Sequence, residues 1–353
     1  MTTTRDLALL RLAALRLAGP GSAAPAEAVR WLLAAQAQEF PGALTSVALR
    51  TRAATRADVE AALNTGEIVR SWPMRGTLHF VAADDLPWLL ELTAVRALRG
   101  HETRRRQVGL AEADLVHARG IAVEALAGGP GLARKELFAV WEAAGIATGD
   151  QRGAHLIYYL AQSGVLCLGP VAGAGQRFVL VEEWIREARR PSREEALAEF
   201  ALRYYRSHGP ATLPDLARWG KLTLTDARAG LAAVRDRLER VTVGDTDYYM
   251  DPETPALLDA HRERASGVLL LPGFDEFLLG YGDRTATLPA EFADLIVPGG
   301  NGMFRPTVVA GGQVVGTWRH EGRGAKRTLA ATPFTAFGAG VAEEMAKVYD
   351  GLP

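Results

Sequence analysis

Residues 67–81 have the sequence Glu-Ile-Val-Arg-Ser-Trp-Pro-Met-Arg-Gly-Thr-Leu-His-Phe-Val, which predicts two strands joined by a turn at Trp-Pro-Met-Arg-Gly. Pro41 and Gly42 mark the predicted end of the second of three helices that precede this hairpin. The order of three helices and a hairpin is typical of a winged helix-turn-helix. The predicted helices span 5–18, 25–38 and 56–64.

The same order of elements is predicted twice more along the chain. Gly129-Pro130 and Gly209-Pro210 each precede the second helix of a later unit. A spacing of roughly 80 residues favours three tandem units. The second unit has predicted helices at 114–126, 134–144 and 150–163 and strands within 165–181; the third has helices at 193–207, 213–219 and 225–238 and strands within 239–250.

After about residue 265 the chain becomes rich in Gly and punctuated by Pro, which indicates short strands. Two strands are predicted around a Gly311-Gly312 turn within 306–315, and a helix at 334–349 closes the chain. The sequence therefore predicts an α+β fold with three tandem winged helix-turn-helix units and a C-terminal antiparallel β domain. The predicted segments are 1–108, 109–190, 191–264 and 265–353.

The chain has 353 residues, with 40 Lys and Arg against 41 Asp and Glu, so its net charge of −1 argues against an indiscriminate nucleic-acid coat. Its one cysteine, Cys167, lies in an apolar run and is expected to be a buried thiol. Arg11 and Arg16 interrupt the apolar N-terminal segment, which argues against a secretory signal. Without a run of about 18 uncharged apolar residues, no membrane span is expected, and we infer a cytoplasmic protein.

Basic residues are concentrated at 96–106 and 317–327, where they either track phosphates or form solvated loops. No histidine pair, cysteine cluster or phosphate-binding loop is present, so neither metal nor cofactor is expected. Asp275, Glu276 and Asp283 form an acidic cluster. These carboxylates are candidates for acid–base work or for holding a metal, and the alternative is local capping and pairing.

Gln36 and Gln38 belong to the segment 30–42, which the periodicity predicts to be the end of a helix. Side chains two positions apart point about 200° apart on an ideal helix. The two amides would therefore converge only where the helix frays before Pro41. Spacing alone leaves open whether they form a site or are two polar residues of a final turn.

Four segments together resemble the AlkZ/YcaQ DNA glycosylases, a family built from tandem winged-helix units. They are 33–38 with Gln36 and Gln38, 74–79 with Met-Arg-Gly-Thr-Leu-His, 271–277 with Leu-Pro-Gly-Phe-Asp-Glu-Phe, and 315–319 with Val-Gly-Thr-Trp-Arg. In this family a Gln-apolar-Gln or Gln-apolar-Asp motif is catalytic. The Gln-Ala-Gln of this chain resembles the AlkZ branch.

The resemblance implies a metal-independent, monofunctional DNA glycosylase that acts on N7- or N3-alkylated purines in double-stranded DNA. Bulky genotoxin adducts and interstrand cross-links are candidate lesions, in repair or in self-resistance, with no obligate protein partner. Gln36 and Gln38 would position water and stabilise the transition state. The expected DNA contacts are Arg75, Thr77 and His79 in the first wing, and Arg319, His320, Arg323, Lys326 and Arg327 in a hairpin with His320 or Arg323 near its tip.

Three alternatives remain open from the residues. His79 is also compatible with a structural strand residue that bonds to the backbone. Tandem winged units also suit a DNA-binding regulator or a drug-sequestering protein without turnover. A metal-dependent nuclease that uses Asp275 and Glu276 is the third alternative, and a chelator would abolish its activity.

Overall fold

The structure is a computed structural model that describes residues 3–173, 175–322 and 324–353. The chain forms two units, one combining Met1–Val59 with Leu197–Pro353 and the other comprising Glu60–Ala196. The larger unit thus takes both ends of the chain, whereas the four predicted segments are contiguous. The division into three winged units stays a prediction. No helix in the described part of the chain is long and apolar enough to cross a membrane.

The N-terminal part of the larger unit corrects the predicted helix 25–38. That helix ends at Leu32 because Leu33 takes a positive φ of 68° that no helix can continue, and Gln36 lies in extended chain. Pro41, predicted to end the helix, lies instead in the first turn of the next one, where a missing N–H costs little. The elements here are α1 (Thr4–Ala14), α2 (Pro25–Leu32), β1 (Ala35–Gln36), α3 (Phe40–Ala48) and α4 (Arg56–Asn64).

The elements predicted for 193–250 are confirmed, and side-chain caps fix where two of these helices begin. Thr212 caps the second helix by accepting from the Asp215 N–H, and Thr223 caps the third in the same way with Asp226. The elements are α11 (Arg193–His208), α12 (Leu213–Gly220), α13 (Leu224–Val234), β6 (Glu239–Val243), β7 (Thr246–Met250), α14 (Thr254–Ala260) and α15 (Arg262–Ser266).

The C-terminal part contains a four-stranded antiparallel sheet in the order β11-β10-β9-β8. Gly311 and Gly312, both with positive φ, form the predicted turn between β9 and β10. The closing helix begins at Val341, not at 334, after Gly340 with φ 76°. The elements are β8 (Val268–Leu271), α16 (Glu276–Leu279), α17 (Ala293–Ile296), β9 (Thr307–Ala310), β10 (Gln313–Glu321), β11 (Thr328–Pro333) and α18 (Val341–Asp350).

The smaller unit contains two hairpins, which form the sheet run β3-β2-β4-β5. Its helices bury Trp141, Leu156 and Leu160 in one core. Both hairpins were predicted, but the turn of the first is shorter than expected: the strand continues through Trp72, Pro73 and Met74, and only Arg75 and Gly76 form the turn. The elements are β2 (Ile68–Met74), β3 (Thr77–Ala82), α5 (Leu86–Gly100), α6 (Glu102–Gln107), α7 (Glu112–Leu126), α8 (Arg134–Ala143), α9 (Arg152–Gln162), β4 (Leu166–Ala172), β5 (Gly175–Leu180) and α10 (Val181–Trp184).

The basic segment 96–106 is not a loop. It contains the last turn of α5 and most of α6, neither of which the sequence analysis predicted. Pro87 in the first turn of α5 and the buried Leu89 and Leu90 are the signals of this helix. Its basic side chains therefore project from helices, which fixes their spacing.

Cys167 lies in β4 and is fully buried, as the sequence predicts. Burial raises the pKa of its thiol to about 12 because the apolar surroundings disfavour the thiolate. We expect native protein at pH 8 to leave Ellman's reagent unreacted and to release one equivalent of chromophore after unfolding in guanidinium. Rapid stoichiometric labelling of the native protein would contradict this burial.

Candidate active site

Gln36 and Gln38 lie on the connection between α2 and α3, where the chain is not helical. Gln36 belongs to β1, and Gln38 lies in a bend just before α3. The angle of about 200° expected between the two side chains on a helix therefore does not apply to this segment. Ala37 between them is fully buried, Gln36 is 7% exposed and Gln38 is exposed.

The Gln36 side chain folds back onto its own segment. Its Oε1 accepts the backbone N–H of Gln38 at 2.9 Å. The amide oxygen of Gln36 thereby helps to hold the main chain that carries Gln38. Of the two amides, the exposed one of Gln38 is the better placed to meet a ligand.

Glu276 holds the main chain at Gln36. Its Oε1 accepts the Gln36 N–H at 3.0 Å, and its Oε2 accepts the indole N–H of Trp219 at 2.9 Å. Nε2 of His208 lies 3.4 Å from the same Oε2. Glu276 is 1% exposed, so its carboxylate is removed from water and depends on these donors.

The neighbouring Asp275 holds the helix that follows Gln38. The guanidinium of Arg50 binds both of its carboxylate oxygens at 2.8 Å, and the Ser46 hydroxyl donates to Oδ2 at 2.7 Å. Asp275 also caps α16 by accepting the Phe277 N–H. Glu276 therefore fixes the Gln-Ala-Gln segment at Gln36, and Asp275 fixes the helix that follows the segment.

Aromatic rings enclose the Glu276 carboxylate. The His208 ring stacks on Tyr204 at a centroid distance of 4.9 Å and contacts Trp219 at the same distance. Burial raises the pKa of the Tyr204 and Tyr281 hydroxyls above their usual range, so both stay protonated at neutral pH. They donate to the backbone oxygens of Gly280 and His208.

Asp275 and Glu276 take part in pairing and capping. Among the residues that the structure describes, no group of three or more His, Cys, Asp or Glu side chains is arranged to hold a metal ion. Asp283, the third member of the predicted acidic cluster, turns to its own loop and accepts from Thr285. The acidic cluster is thus divided between separate local roles.

The first wing holds Arg75 and His79 together. His79 is fully buried; its Nδ1 lies 2.8 Å from the Thr77 carbonyl and its Nε2 lies 2.9 Å from Nη2 of Arg75. Because a carbonyl only accepts, Nδ1 carries the proton and Nε2 accepts from the guanidinium. This arrangement matches the structural alternative for His79, which positions Arg75. The Thr77 hydroxyl is buried and has no hydrogen-bond partner in the described part of the chain.

The C-terminal hairpin β10–β11 presents several of the predicted DNA-binding residues. Arg319, Lys326 and Arg327 are exposed, and Arg319 pairs with Glu321. His320 lies near the tip, opposite Leu329 and one pair before the end of the ladder, with Nδ1 2.7 Å from the Tyr349 hydroxyl. Burial, together with Arg327 and Arg56, lowers the pKa of His320. Arg323 lies outside the described residues.

The basic segment 96–106 meets the start of α9. His101 packs against Tyr158 at a centroid distance of 4.4 Å and against His155 at 6.3 Å. Arg104 donates to Gln151 at 3.1 Å. Burial and the nearby His101, Arg104 and Arg105 lower the pKa of His155, which reflects the positive potential of this surface.

Sequence reasoning missed His208 and Trp219 as neighbours of the Gln-Ala-Gln segment, and it weighed Glu276 as a metal or acid–base group or as a residue of local capping and pairing, but not as a partner of Gln36. The motif at 271–277 was recognised, but nothing in a single sequence pairs residue 276 with residue 36. A charged Asp-Glu pair followed by Phe-Leu-Leu was the available signal, because carboxylates inside an apolar run require partners when they are buried.

Comparisons with known proteins agree with one another. The model of a family described as DNA glycosylase AlkZ-like matches residues 29–352. An interstrand DNA cross-link repair glycosylase from Streptomyces sahachiroi is 29% identical over 324 residues, which cover 86% of this chain and 83% of the relative. The solved structure of Streptomyces sahachiroi DNA glycosylase AlkZ is similar with a TM-score of 0.79 and 25% identity, covering 98% of this chain and 94% of that one.

Removing one partner of the buried Arg50–Asp275 pair should destabilise the larger unit strongly. Asp275→Ala leaves the guanidinium buried without its carboxylate, and we expect a loss of about 3–5 kcal/mol in the free energy of unfolding in urea. Asp259→Ala, which breaks the exposed pair with Arg262, is the control and should cost less than about 1 kcal/mol. Equal effects of the two variants would show that the Arg50–Asp275 pair is not an anchor.

Proposed function

Because the chain belongs to the AlkZ-like family of DNA glycosylases, we propose that it hydrolyses the N-glycosidic bond of N7- or N3-alkylated purines in double-stranded DNA. The observation that carries the proposal is the Gln-Ala-Gln segment, which Glu276 holds at the Gln36 N–H and in which Gln38 is exposed. Both Gln side chains are neutral, so the site suits a substrate that brings its own positive charge.

The chemistry of an alkylated purine explains why neutral amides suffice. A purine alkylated at N7 or N3 is cationic, and cleavage of the bond between C1′ and the base gives the bonding electrons to the base and neutralises it. Water adds its oxygen to C1′, and its proton passes to solvent. The base therefore leaves without a general acid, and the protein needs only to orient water and stabilise the cationic sugar of the transition state.

The two glutamines have different roles in this proposal. The carbonyl oxygen of Gln38 orients the attacking water and faces the developing oxocarbenium ion with its negative dipole end. Gln36 fixes the Gln38 main chain through the hydrogen bond at 2.9 Å. No lysine occurs in the segment 30–42, so a Schiff base with the sugar is not expected and the product is an abasic site.

We include interstrand cross-links and bulky genotoxin adducts among the proposed lesions. The support is the relative from Streptomyces sahachiroi, which is described as an interstrand DNA cross-link repair glycosylase. A linked or bulky base resists extrusion from the duplex into a narrow pocket. Because Gln38 is exposed, it can meet such a base without a narrow pocket. Repair or self-resistance in the cytoplasm, without a metal or a protein partner, is the proposed setting.

We propose that the exposed cations of the C-terminal hairpin, Arg319, Lys326 and Arg327, contact DNA phosphates. Arg75 is the proposed contact of the first wing, with His79 orienting it from its buried position. Phosphate contacts of this kind supply affinity without sequence preference. That property suits an enzyme that must find a lesion in any sequence context.

The site assignment predicts a loss of base release when the amides are removed. Gln38→Ala should lower the single-turnover release of 7-methylguanine from duplex DNA by about 10²-fold or more, because water and the cationic sugar lose their oriented dipole. Wild-type rates in the Gln36→Ala, Gln38→Ala double variant would remove these residues from the mechanism.

The same assay separates an enzyme from a regulator. A DNA-binding regulator or drug-sequestering protein would bind the duplex and release no base. Addition of EDTA to the wild-type reaction should leave the rate unchanged, whereas a metal-dependent nuclease would lose activity and would cut the strand.

The hairpin assignment predicts a change in the salt dependence of DNA binding. Replacing Arg319, Lys326 and Arg327 by Gln should lower the slope of log Kd against log salt by up to about 3, since each phosphate contact contributes about 0.9. Anisotropy titrations between 50 and 200 mM salt provide the measurement. Arg262→Gln removes an exposed charge outside the hairpin and should leave the slope unchanged; an unchanged slope in the triple variant would overturn the assignment.

A further inference from the structure

We propose that Glu276 is a positioning residue of the glycosylase site and that it acts through Gln36 on Gln38. This inference rests on the proposed function and goes beyond it, because it extends the site to a buried carboxylate 238 positions away in sequence from Gln38. Glu276 touches neither substrate nor water in this role. Its contribution is the position of the main chain that carries the two amides.

The hydrogen bonds form a continuous series. Glu276 Oε1 accepts the Gln36 N–H at 3.0 Å, and Gln36 Oε1 accepts the Gln38 N–H at 2.9 Å. The first bond fixes the backbone at Gln36 and the second fixes the backbone at Gln38. The exposed Gln38 side chain therefore projects from a main chain whose N–H groups at Gln36 and Gln38 are both held by hydrogen bonds.

A carboxylate suits this position because both of its oxygens accept hydrogen bonds. It serves the Gln36 N–H and the Trp219 indole N–H with separate oxygens, while His208 lies 3.4 Å away. A glutamine of the same shape has one acceptor oxygen and would face one of the two N–H donors with its own NH2 group.

The surroundings of Glu276 are rigid. Trp219 comes from α12, His208 ends α11, and both side chains are nearly fully buried. The His208 ring is held by the stack on Tyr204 and by its Nδ1, 2.7 Å from the Ser207 hydroxyl. The carboxylate thus connects the Gln-Ala-Gln segment, which is not helical, to α11 and α12.

Glu276→Gln tests the proposal, and Glu344→Gln is its matched control. Glu344 Oε1 likewise accepts a backbone N–H, that of Val268 at 3.0 Å, in the same unit. We expect Glu276→Gln to lower single-turnover release of 7-methylguanine at least 10-fold with DNA affinity within twofold of wild type. Glu344→Gln should change neither quantity. A wild-type rate in folded Glu276→Gln would overturn the proposal.

A double-mutant cycle distinguishes positioning from a general structural role. If Glu276 acts on Gln38 through the Gln36 side chain, the loss caused by Glu276→Gln should shrink to less than twofold in the Gln36→Ala background, which keeps the residue 36 N–H but removes the amide oxygen that binds the Gln38 N–H. A general loss of structure would lower the rate by the same factor in both backgrounds, and that result would contradict the proposed series. If Glu276→Gln does not fold, the cycle is repeated with Glu276→Asp, whose side chain keeps the carboxylate but is one methylene group shorter.

Hydrogen exchange supplies a readout that does not depend on activity. The Gln36 and Gln38 amides should be protected in the wild type, lose protection in the Glu276 variants, and keep it in Glu344→Gln. Absence of base release in the wild type together with this pattern would refute the glycosylase proposal and leave the positioning series intact. Equal exchange in wild type and variants would refute the series itself.

Discussion

The structure of the candidate site depends on the burial of two adjacent carboxylates. Asp275 and Glu276 are 5% and 1% exposed, and a carboxylate removed from water is tolerated only when donors surround it. Arg50 and Ser46 satisfy Asp275, while Trp219 and the Gln36 N–H satisfy Glu276. The Gln36 N–H belongs to the Gln-Ala-Gln segment, and Ser46 and Arg50 follow it in the chain, so compensating the two charges also fixes Gln36 and the helix that comes after the segment.

This constraint explains why a segment with strong helical preference is not a helix. In a helix the Gln36 N–H would bond to the carbonyl four residues earlier and would not reach Glu276. Leu33 instead takes a positive φ of 68°, which is costly for a residue with a side chain, and the small residues Ala34, Ala35 and Ala37 pack fully in the core. Tertiary interactions have overridden the local helical propensity of this segment.

The sequence predicts much of the fold and only part of the site. Hairpins such as 67–81 and helices such as 134–144 have local signals, namely turn residues and apolar periodicity, and these predictions are confirmed. The prediction of a helix at 25–38 was wrong because the end of this helix is fixed by contacts with residues about 240 positions away in sequence. Gln36 and Gln38 were selected by resemblance to a family motif; His208 and Trp219 could not be, since no local pattern marks the partners of a buried charge. The burial of His79 could not be predicted either, because it depends on how the hairpin packs in the folded unit.

In the proposed mechanism, neutral amides act on a base whose own positive charge drives its departure. The most direct test compares two duplexes that differ at one position: one contains 7-methylguanine, and the other contains its uncharged, imidazole-ring-opened form. Under single-turnover conditions the account predicts release of the cationic base and at least 10²-fold slower release of the neutral one, with similar DNA affinity. Equal rates of release from the two duplexes would contradict it.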